Sequence, residues 1–138
     1  MWSTCWRLGV LLPGIGLGAM ACHPASPAPV APKRTFPDVA SALECARDAM
    51  ASAGFLVEPR QSPTTPHGGN RIGATIVTGD ETHMVAALAL VRVGPNGDTT
   101  VVLEASAGTL AGPTGTVRPV SSIALRGRDA IEVACILP

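Results

Sequence analysis

The clearest strand signals in this chain lie in VAALALVRVGPNGDTTVVLEAS, Val85–Ser106. Its first part, Val85–Val93, is almost entirely apolar, which is typical of a strand buried in the middle of a sheet. Its second part, Thr99–Ser106, alternates between apolar and polar residues, which is typical of a strand with one face against a core. Asn96-Gly97 between them is a strong hairpin signal, and we expect a tight turn with positive φ at both residues. The stretch therefore predicts an antiparallel hairpin.

Two further strand patterns precede this hairpin. Apolar and polar residues alternate over Arg71–Ile76, and a turn signal at Gly79-Asp80-Glu81 separates this segment from the hairpin. Phe55–Glu58 is a short strand candidate. Between these two segments lies Pro59–Asn70, a long loop with three prolines. Loops of this length are functional or mobile more often than average.

The segment before these strands has a helical pattern. Thr35, with Asp38 three residues later and Pro37 in the first turn, matches a capping pattern, so we expect the helix to begin there. Apolar residues recur at spacings of three and four: Val39, Ala42, Leu43, Ala46, Met50 and Ala53. Gly54 follows the last of them, and glycine commonly ends a helix.

The chain after the hairpin has weaker signals. Ala107–Arg118 is rich in glycine and threonine, and we expect a loop there. Ser122–Ile136 has a helical stripe that is weakened in its middle by Gly127, and residues 119–127 are compatible with helix or strand. The predicted order is α-β-β-β-β-α, an α+β fold with an antiparallel sheet of three to four strands and an N-terminal and a C-terminal helix on one face.

The N-terminal region has the order of a secretory signal. Met1–Arg7 carries one positive side chain, an apolar run begins at Leu8, and Ala19-Met20-Ala21 satisfies the A-x-A rule for signal peptidase. The apolar run is too short to span a bilayer, which needs about 20 residues. The sequence therefore predicts export and a signal peptide that covers residues 1–21.

Cys22 follows directly after the predicted cut. Ala19-Met20-Ala21-Cys22 resembles the lipobox of bacterial lipoproteins, in which this cysteine becomes the N-terminus and carries lipid, although Ala19 stands where that family usually has leucine. The resemblance implies lipid attachment, such as palmitate, at Cys22; plain secretion and an uncleaved anchor are the alternatives. Prolines and small residues alternate over 22–35, which predicts an extended tether. Residues 36–138 remain as one domain of about 100 residues.

Two cysteines remain in the predicted exported domain, Cys45 and Cys135, because Cys5 leaves with the leader and Cys22 takes the lipid. Outside the cytoplasm disulfides form and persist. We therefore expect a Cys45–Cys135 disulfide between the two helices; the alternative is a pair of buried free thiols.

The whole pattern resembles the small exported lipoproteins of bacteria that have no assigned activity. The features are the lipobox-like cysteine, the Pro/Ala tether, a first helix with Cys45, and a terminal helix that ends on Cys135. The resemblance implies a location and a disulfide, and it implies no activity.

Composition argues against several partners. The chain has 10 Lys and Arg, 10 Asp and Glu, and no basic cluster, since its one lysine, Lys33, lies in the tether. We therefore expect no nucleic-acid partner and no electrostatic capture by anionic lipid. Phe36 and Phe55 are the only aromatic residues after the leader, which are too few to stack on a row of bases.

No group of residues predicts chemistry. Asp80-Glu81-Thr82-His83 places acids beside a histidine, but a metal site needs three or four converging ligands, so we interpret His83 as part of a solvated turn. Glu104 with Asp80 or Glu81 is a candidate acid–base pair, although single carboxylates on strands are ordinarily surface charges. We expect no catalytic residue, no metal and no cofactor.

The favoured function is a binding or assembly module anchored by lipid in the bacterial cell envelope, with other envelope proteins as candidate partners. A small enzyme or ligand-binding domain that uses the 59–70 loop is one alternative, and a purely structural spacer is another. An exposed apolar patch on the sheet favours the binding module. A cleft with converging polar side chains at the loop favours the enzyme.

Overall fold

The computed structural model describes residues 32–59 and 69–138. The elements in chain order are α1 (Val39–Ser52), β1 (Leu56–Val57), β2 (Arg71–Thr78), β3 (Glu81–Val93), β4 (Thr99–Ala111), β5 (Thr116–Arg118) and α2 (Ser122–Ile131), which continues as a π-helix over Glu132–Ile136. The predicted signal peptide, Cys22, most of the predicted tether and residues 60–68 of the predicted loop lie outside the described residues. Of the helices that are described, none has both the length and the apolarity needed to cross a bilayer.

The strands form one antiparallel sheet. Its five strands lie in the order β1-β2-β3-β4-β5, so each strand pairs with its neighbour in sequence. The hairpin strands β3 and β4 are the longest, at 13 residues each. One helix precedes the sheet and one follows it. The predicted α+β fold is confirmed.

The sheet has one strand more than predicted, because part of 107–118 is extended. β4 continues to Ala111, and Gly112 and Gly115, each with a φ of 65°, reverse the chain into β5. Threonine favours strands, and glycine is the residue that adopts positive φ at little cost. The composition that suggested a loop therefore encodes the end of a strand, a turn and a short edge strand.

The predicted hairpin between β3 and β4 is confirmed, but its turn differs. The Gly97 N–H donates to the Gly94 carbonyl at 3.0 Å, so Pro95 and Asn96 are the central residues of the turn. Gly97 comes after them with a φ of 84°. The prediction of a turn centred on Asn96 and Gly97 is wrong because Pro95, with its φ fixed near −65°, suits the first central position of an ordinary turn.

Helix α1 begins later than the sequence predicts. Asp38 caps it, and its Oδ1 accepts a hydrogen bond from the Ser41 N–H at 2.7 Å. Aspartate is a stronger N-cap than threonine, so the helix does not begin at Thr35. Phe36 is extended instead, and it exchanges two backbone hydrogen bonds with Val101 of β4.

Both helices pack on one face of the sheet, as predicted. The buried cluster combines the inner face of α1 with alternate residues of β2, β3 and β4: Ala42, Leu43, Ala46, Ala49, Met50, Ile72, Ala74, Val85, Ala87, Ala89, Val101 and Leu103. Helix α2 approaches this layer through Gly127, where a Cβ would lie 2.6 Å from Val85 Cγ1 and 2.7 Å from the Phe55 ring. The glycine that weakens the helical pattern in the sequence is therefore required by the packing.

A disulfide joins the two helices. Cys45 lies on α1 and Cys135 in the π-helix, with Cα atoms 6.0 Å apart, and the bond closes a loop of 90 residues. The predicted pairing is confirmed.

The π-helical ending of α2 was not predicted. The Leu137 N–H donates to the carbonyl of Glu132, five residues earlier. Arg34 closes this end from outside the helix, because its N–H donates to the Ile136 carbonyl at 2.9 Å and its guanidinium to the Ala134 carbonyl at 3.1 Å. The carbonyls of Glu132, Ala134 and Ile136 therefore have partners, which carbonyls at helix ends otherwise lack.

Candidate binding surface

His83 is the candidate residue whose surroundings differ most from the prediction. It lies on β3, is 1% exposed, and points to the same side of the sheet as the core residues Val85 and Ala87. The turn that was expected to hold it ends before β3 begins. The interpretation of His83 as a solvated turn residue is wrong, because strand alternation carries its ring under the start of α2.

Two hydroxyl groups hold the buried ring of His83. The Thr78 Oγ1 lies 2.5 Å from Nε2, and the Ser121 Oγ lies 2.7 Å from Nδ1. The same Ser121 Oγ caps α2, where it accepts the Ala124 N–H at 3.1 Å, so the hydroxyl hydrogen is free to donate to Nδ1. A neutral ring with its proton on Nε2, donating to Thr78, satisfies every one of these bonds.

A second buried hydroxyl extends this network. The Ser121 N–H donates to the Oγ1 of Thr109 at 3.0 Å, and Thr109 is 2% exposed. The network thus fixes Ser121, the N-cap residue of α2, to both β3 and β4. Buried polar groups that are fully bonded specify one arrangement of the elements that carry them.

Serine, histidine and a carboxylate are close together here, but they are not arranged for nucleophilic catalysis. The Glu81 Oε2 lies 4.0 Å from the His83 Nε2, where Thr78 already holds the hydrogen bond, and Glu81 instead pairs with Arg118 at 3.2 Å. The His83 ring is enclosed, so a substrate has no route to it. We therefore assign the network to the positioning of α2.

The candidate carboxylate pair of the sequence is not assembled. Glu81 faces Ala111 in the β3–β4 register and Glu104 faces Leu88, seven residues further along β3. At about 3.4 Å per residue, the two carboxylates belong to points of the sheet roughly 24 Å apart. Among residues 32–59 and 69–138, no three His, Cys, Asp or Glu side chains converge as metal ligands would.

One surface cation shows a clear electrostatic effect. The pKa of Arg128 is raised above its ordinary value, first by its hydrogen bond to Asp129 and then by the charges of Asp129 and Glu132. These groups lie on the outer surface of α2, so this cluster is a solvated one and forms no site.

A groove runs between the two helices beside the disulfide. Its volume is about 410 Å³, and its lining is mostly alanine: Cys45, Asp48, Ala49, Ser52, Ala53, Ala130 and Ala134. Ligand sites combine an apolar wall with several convergent polar groups. Asp48 and Ser52 are the only side chains of that kind here, so the groove lacks the groups that orient a ligand.

The face of the sheet opposite the helices is more distinctive. Strand alternation places on it a row of apolar side chains, none of which is covered by a described helix: Met84, Ala86, Leu88, Leu90 and Val102. Ala86 and Val102 are buried and the other three are half-buried. Arg71 and Glu104 flank Leu88 from the two neighbouring strands. We call this surface the open face.

A shallow depression lies in the open face next to β4. It has a volume of about 180 Å³ and is lined by Arg71, Met84, Val85, Ala86, Ser106, Ala107 and Gly108. This volume is below the roughly 300–1,000 Å³ of most ligand sites. An engineered cavity of about 150 Å³ holds one benzene, so the depression has room for a single apolar side chain.

The outer edge of β4 is only partly paired. Near its start Val101 bonds to Phe36 through both backbone groups, and at its end Thr109–Ala111 pair with β5. Backbone groups alternate between the two sides of a strand, so those of Leu103, Ala105 and Ala107 also point outward. No described residue bonds to the outward backbone groups of these three, but Leu103 is 1% exposed and the other two are half-buried, so this edge is not an open one. We call residues 102–108 the β4 gap.

No pattern in the sequence predicts the β4 gap. Its limits are set by Phe36, which pairs from the far N-terminal side of the domain, and by β5, which was not expected. The alternating pattern of Thr99–Ser106 identified the strand and its inner face, but a strand's pattern does not tell which of its edges is paired.

No family model, no curated protein and no solved structure matches this chain. Its function is therefore argued from its own residues.

Proposed function

We propose that this chain is a lipid-anchored binding or assembly module of the bacterial cell envelope, held at a membrane surface through Cys22. The observation that supports a binding role best is the apolar open face, which no described helix covers. An enclosed His83 network and a groove without convergent polar groups offer little to a substrate. The lipobox-like Ala19-Met20-Ala21-Cys22 supports the anchor.

The structural features of the domain fit an exported protein that acts outside the cytoplasm. The Cys45–Cys135 disulfide is a bond that persists in oxidising compartments. The described part of the chain begins with the exposed residues Pro32 and Lys33, directly before the Arg34 and Phe36 contacts that join it to the domain. The described chain therefore joins the domain beside the start of β4 and the end of the π-helix.

The anchor is tested by replacing its cysteine. Cys22→Ser in the full chain removes the atom that would carry lipid, and we expect the variant to move from the membrane fraction to the soluble fraction and to lose incorporation of labelled palmitate. Cys5→Ser is the matched control, because it changes a cysteine that the proposal places in the removed leader. A Cys22→Ser variant that stays wholly in membranes contradicts the anchor.

The binding role is tested by cross-linking the anchored protein in its own membrane. We expect defined heterologous products that form through residues of the β4 gap or the open face. If cross-linkers at these positions and on the outer surface of α2 give the same non-specific products, the spacer alternative replaces the binding module.

A further inference from the structure

The open face continues into exposed aliphatic side chains near the start of β3. Leu56 of β1, Val77 of β2 and Val117 of β5 lie on the same side of the sheet, and they are 77%, 65% and 79% exposed. The strand register places Val77, Thr82, Leu110 and Val117 in one row across four strands. Exposed apolar side chains that are grouped in this way mark a surface that binds another protein surface.

Two charged residues of the open face lie opposite each other about the central strand. Arg71 of β2 and Glu104 of β4 flank Leu88 of β3 in register. Glu104 is exposed and Arg71 is half-buried. Neighbouring strands are about 4.8 Å apart, so the backbone positions of the two charged residues are roughly 10 Å apart. A rotation by 180° about an axis parallel to β3 therefore exchanges the position of the cation with that of the anion.

A twofold axis parallel to β3 and above the open face matches this surface with itself. In a second copy placed by this axis, β2 lies over β4 of the first copy and β1 lies over β5. Arg71 of each copy then faces Glu104 of the other, and Val77 faces Leu110. The exposed aliphatic residues of β1 and β5 also come together. Such self-complementarity is what a twofold interface requires.

A twofold axis perpendicular to the strands does not give this match. It places β2 over β2 and β4 over β4, and β2 contains no acidic residue for Arg71 while β4 contains no basic residue for Glu104. It also puts the two N-terminal entries at opposite ends of the pair. The axis parallel to β3 puts them at the same end, because Phe36 pairs with Val101 in each copy. Two chains anchored through Cys22 in one membrane therefore fit the parallel axis.

The surface is large enough for a stable pair. The five strands span about 24 Å across the sheet, and the eight residues of β2 span about 27 Å along it. The area is roughly 600 Å² per copy and about 1,200 Å² in total, which is the lower limit of specific interfaces. Met84 lies on the axis, so the Met84 side chain of the second copy reaches the depression between β3 and β4. Sheets that pack face to face keep their strand directions within about 30°, as this axis allows.

We propose that this protein forms a twofold-symmetric dimer through its open face, with the two β3 strands facing each other and two Arg71–Glu104 ion pairs between the copies. The proposal rests on the binding and assembly role given above, and it names a second copy of this chain as the partner. Apolar burial supplies most of the affinity, and the ion pairs fix the relative orientation of the copies.

Charge exchange tests this orientation. Arg71→Glu places glutamates opposite each other in both pairs, and Glu104→Arg places arginines opposite each other. For the exported full chain in detergent, we expect either variant to raise the dimer dissociation constant about tenfold or more by sedimentation equilibrium. An equimolar mixture of the two variants restores opposite charges in both pairs, so a heterodimer should form with about wild-type affinity. Contacts within one copy cannot produce that rescue.

Arg92→Glu is the matched control for the charge exchange. Arg92 lies on the same side of the sheet, is exposed, and is about 14 Å beyond Leu88 along β3. Because it lies on the axis, like charges face each other there before and after the substitution. We expect the dimer dissociation constant to change by less than about threefold.

A second pair of variants tests the apolar part of the interface. Val77→Lys places a charge against Leu110 of the other copy, and we expect the dissociation constant to rise about tenfold or more. Val133→Lys is its control, because Val133 is 70% exposed on the π-helix, away from the open face. It should leave the dimer unchanged.

A photo-cross-linker at Leu88, on the axis, should give a covalent dimer of this chain in its own membrane. The absence of that product, or a wild-type chain that is monomeric in detergent, overturns the proposal. So does a dimer that persists in both charge variants or that their mixture does not restore. Products that contain only other proteins overturn the dimer while they support the binding role. None of these results changes the Cys22→Ser fractionation, so failure of the dimer is distinguishable from failure of the anchor.

Discussion

The two ends of the C-terminal helix are attached to the domain by different physics. At its N-terminal end, the capping residue Ser121 is held by hydrogen bonds to His83 of β3 and Thr109 of β4. At the other end, Cys135 is bonded covalently to Cys45 of α1. A disulfide acts largely on the unfolded chain, because it restricts how far that chain can expand. A buried hydrogen-bond network acts on the folded state, because it fixes one geometry.

The two attachments also differ in their dependence on conditions. The disulfide attachment is lost when the bond is reduced, whereas the hydrogen-bonded attachment at Ser121 does not respond to thiol reagents. The comparison therefore predicts that reduction lowers stability without moving Ser121, and that changes at His83 loosen the start of α2 while the bond at Cys135 remains.

Removal of the disulfide is expected to have the largest effect. Closure of a loop of 90 residues corresponds to roughly 4–5 kcal/mol in the chain-entropy model. Cys45→Ala with Cys135→Ala should therefore lower the free energy of unfolding by about 4 kcal/mol, measured by denaturant titration. Wild-type protein with and without reductant is the control. A double variant as stable as the oxidised wild type would mean that strain cancels the entropic gain.

The disulfide at this end of the helix was predictable from the sequence. Once the leader is recognised, only two cysteines remain to form a pair. The sequence did not predict the other end. Thr78, His83, Thr109 and Ser121 are ordinary strand and turn residues, and their convergence depends on where α2 begins above the sheet. Gly127 was misleading for the same reason. It lowers helix propensity, but α2 needs a residue without a side chain there to pack closely against Val85 and Phe55.

The antiparallel sheet was predictable because its strands follow one another along the chain and each pattern is local. The predictions were wrong for the turn at Pro95 and the cap at Asp38, and they missed strand β5. In each case two local signals competed. The β4 gap depends on Phe36, 65 residues from its partner Val101 in sequence. A pattern of neighbouring residues cannot predict a pairing between positions so far apart in the sequence.

Replacement of the buried histidine is expected to have the second largest effect. His83→Leu fills a similar volume with an apolar side chain, but it leaves the hydroxyl groups of Ser121 and Thr78 without their hydrogen-bond partner. We expect a loss of about 2–3 kcal/mol in the free energy of unfolding. His23→Leu, in the predicted tether, is the matched control. If His83→Leu were as stable as the wild type, the network would be incidental to the fold.

A methyl group in the middle of the helix should have an intermediate effect. In Gly127→Ala the new Cβ would meet Val85 Cγ1 and the Phe55 ring at 2.6 and 2.7 Å, and overpacking of this kind costs about 1–3 kcal/mol. The gain in helix propensity, about 1 kcal/mol, offsets part of that cost. We expect a net loss of about 1–2 kcal/mol by thermal denaturation, whereas Arg126→Ala on the exposed side of α2 should be nearly neutral. An increase in melting temperature would show that α2 moves away from the sheet at little cost.

The smallest effect is expected at the cap itself, where one hydroxyl serves both the helix and the histidine. Ser121→Ala removes the bond to the Ala124 N–H and the bond to the His83 Nδ1 together. Loss of an N-cap side chain costs about 1 kcal/mol. The informative quantity is the coupling energy between Ser121 and His83. In the His83→Leu background the second bond is already absent. The destabilisation caused by Ser121→Ala should therefore be smaller there than in the wild type, by at least about 0.5 kcal/mol. Ser122→Ala, one residue further and exposed, gives the baseline for a serine without either bond. Strict additivity of Ser121→Ala and His83→Leu would mean that the cap and the histidine act separately, and that the start of α2 is held by the cap alone rather than by a network.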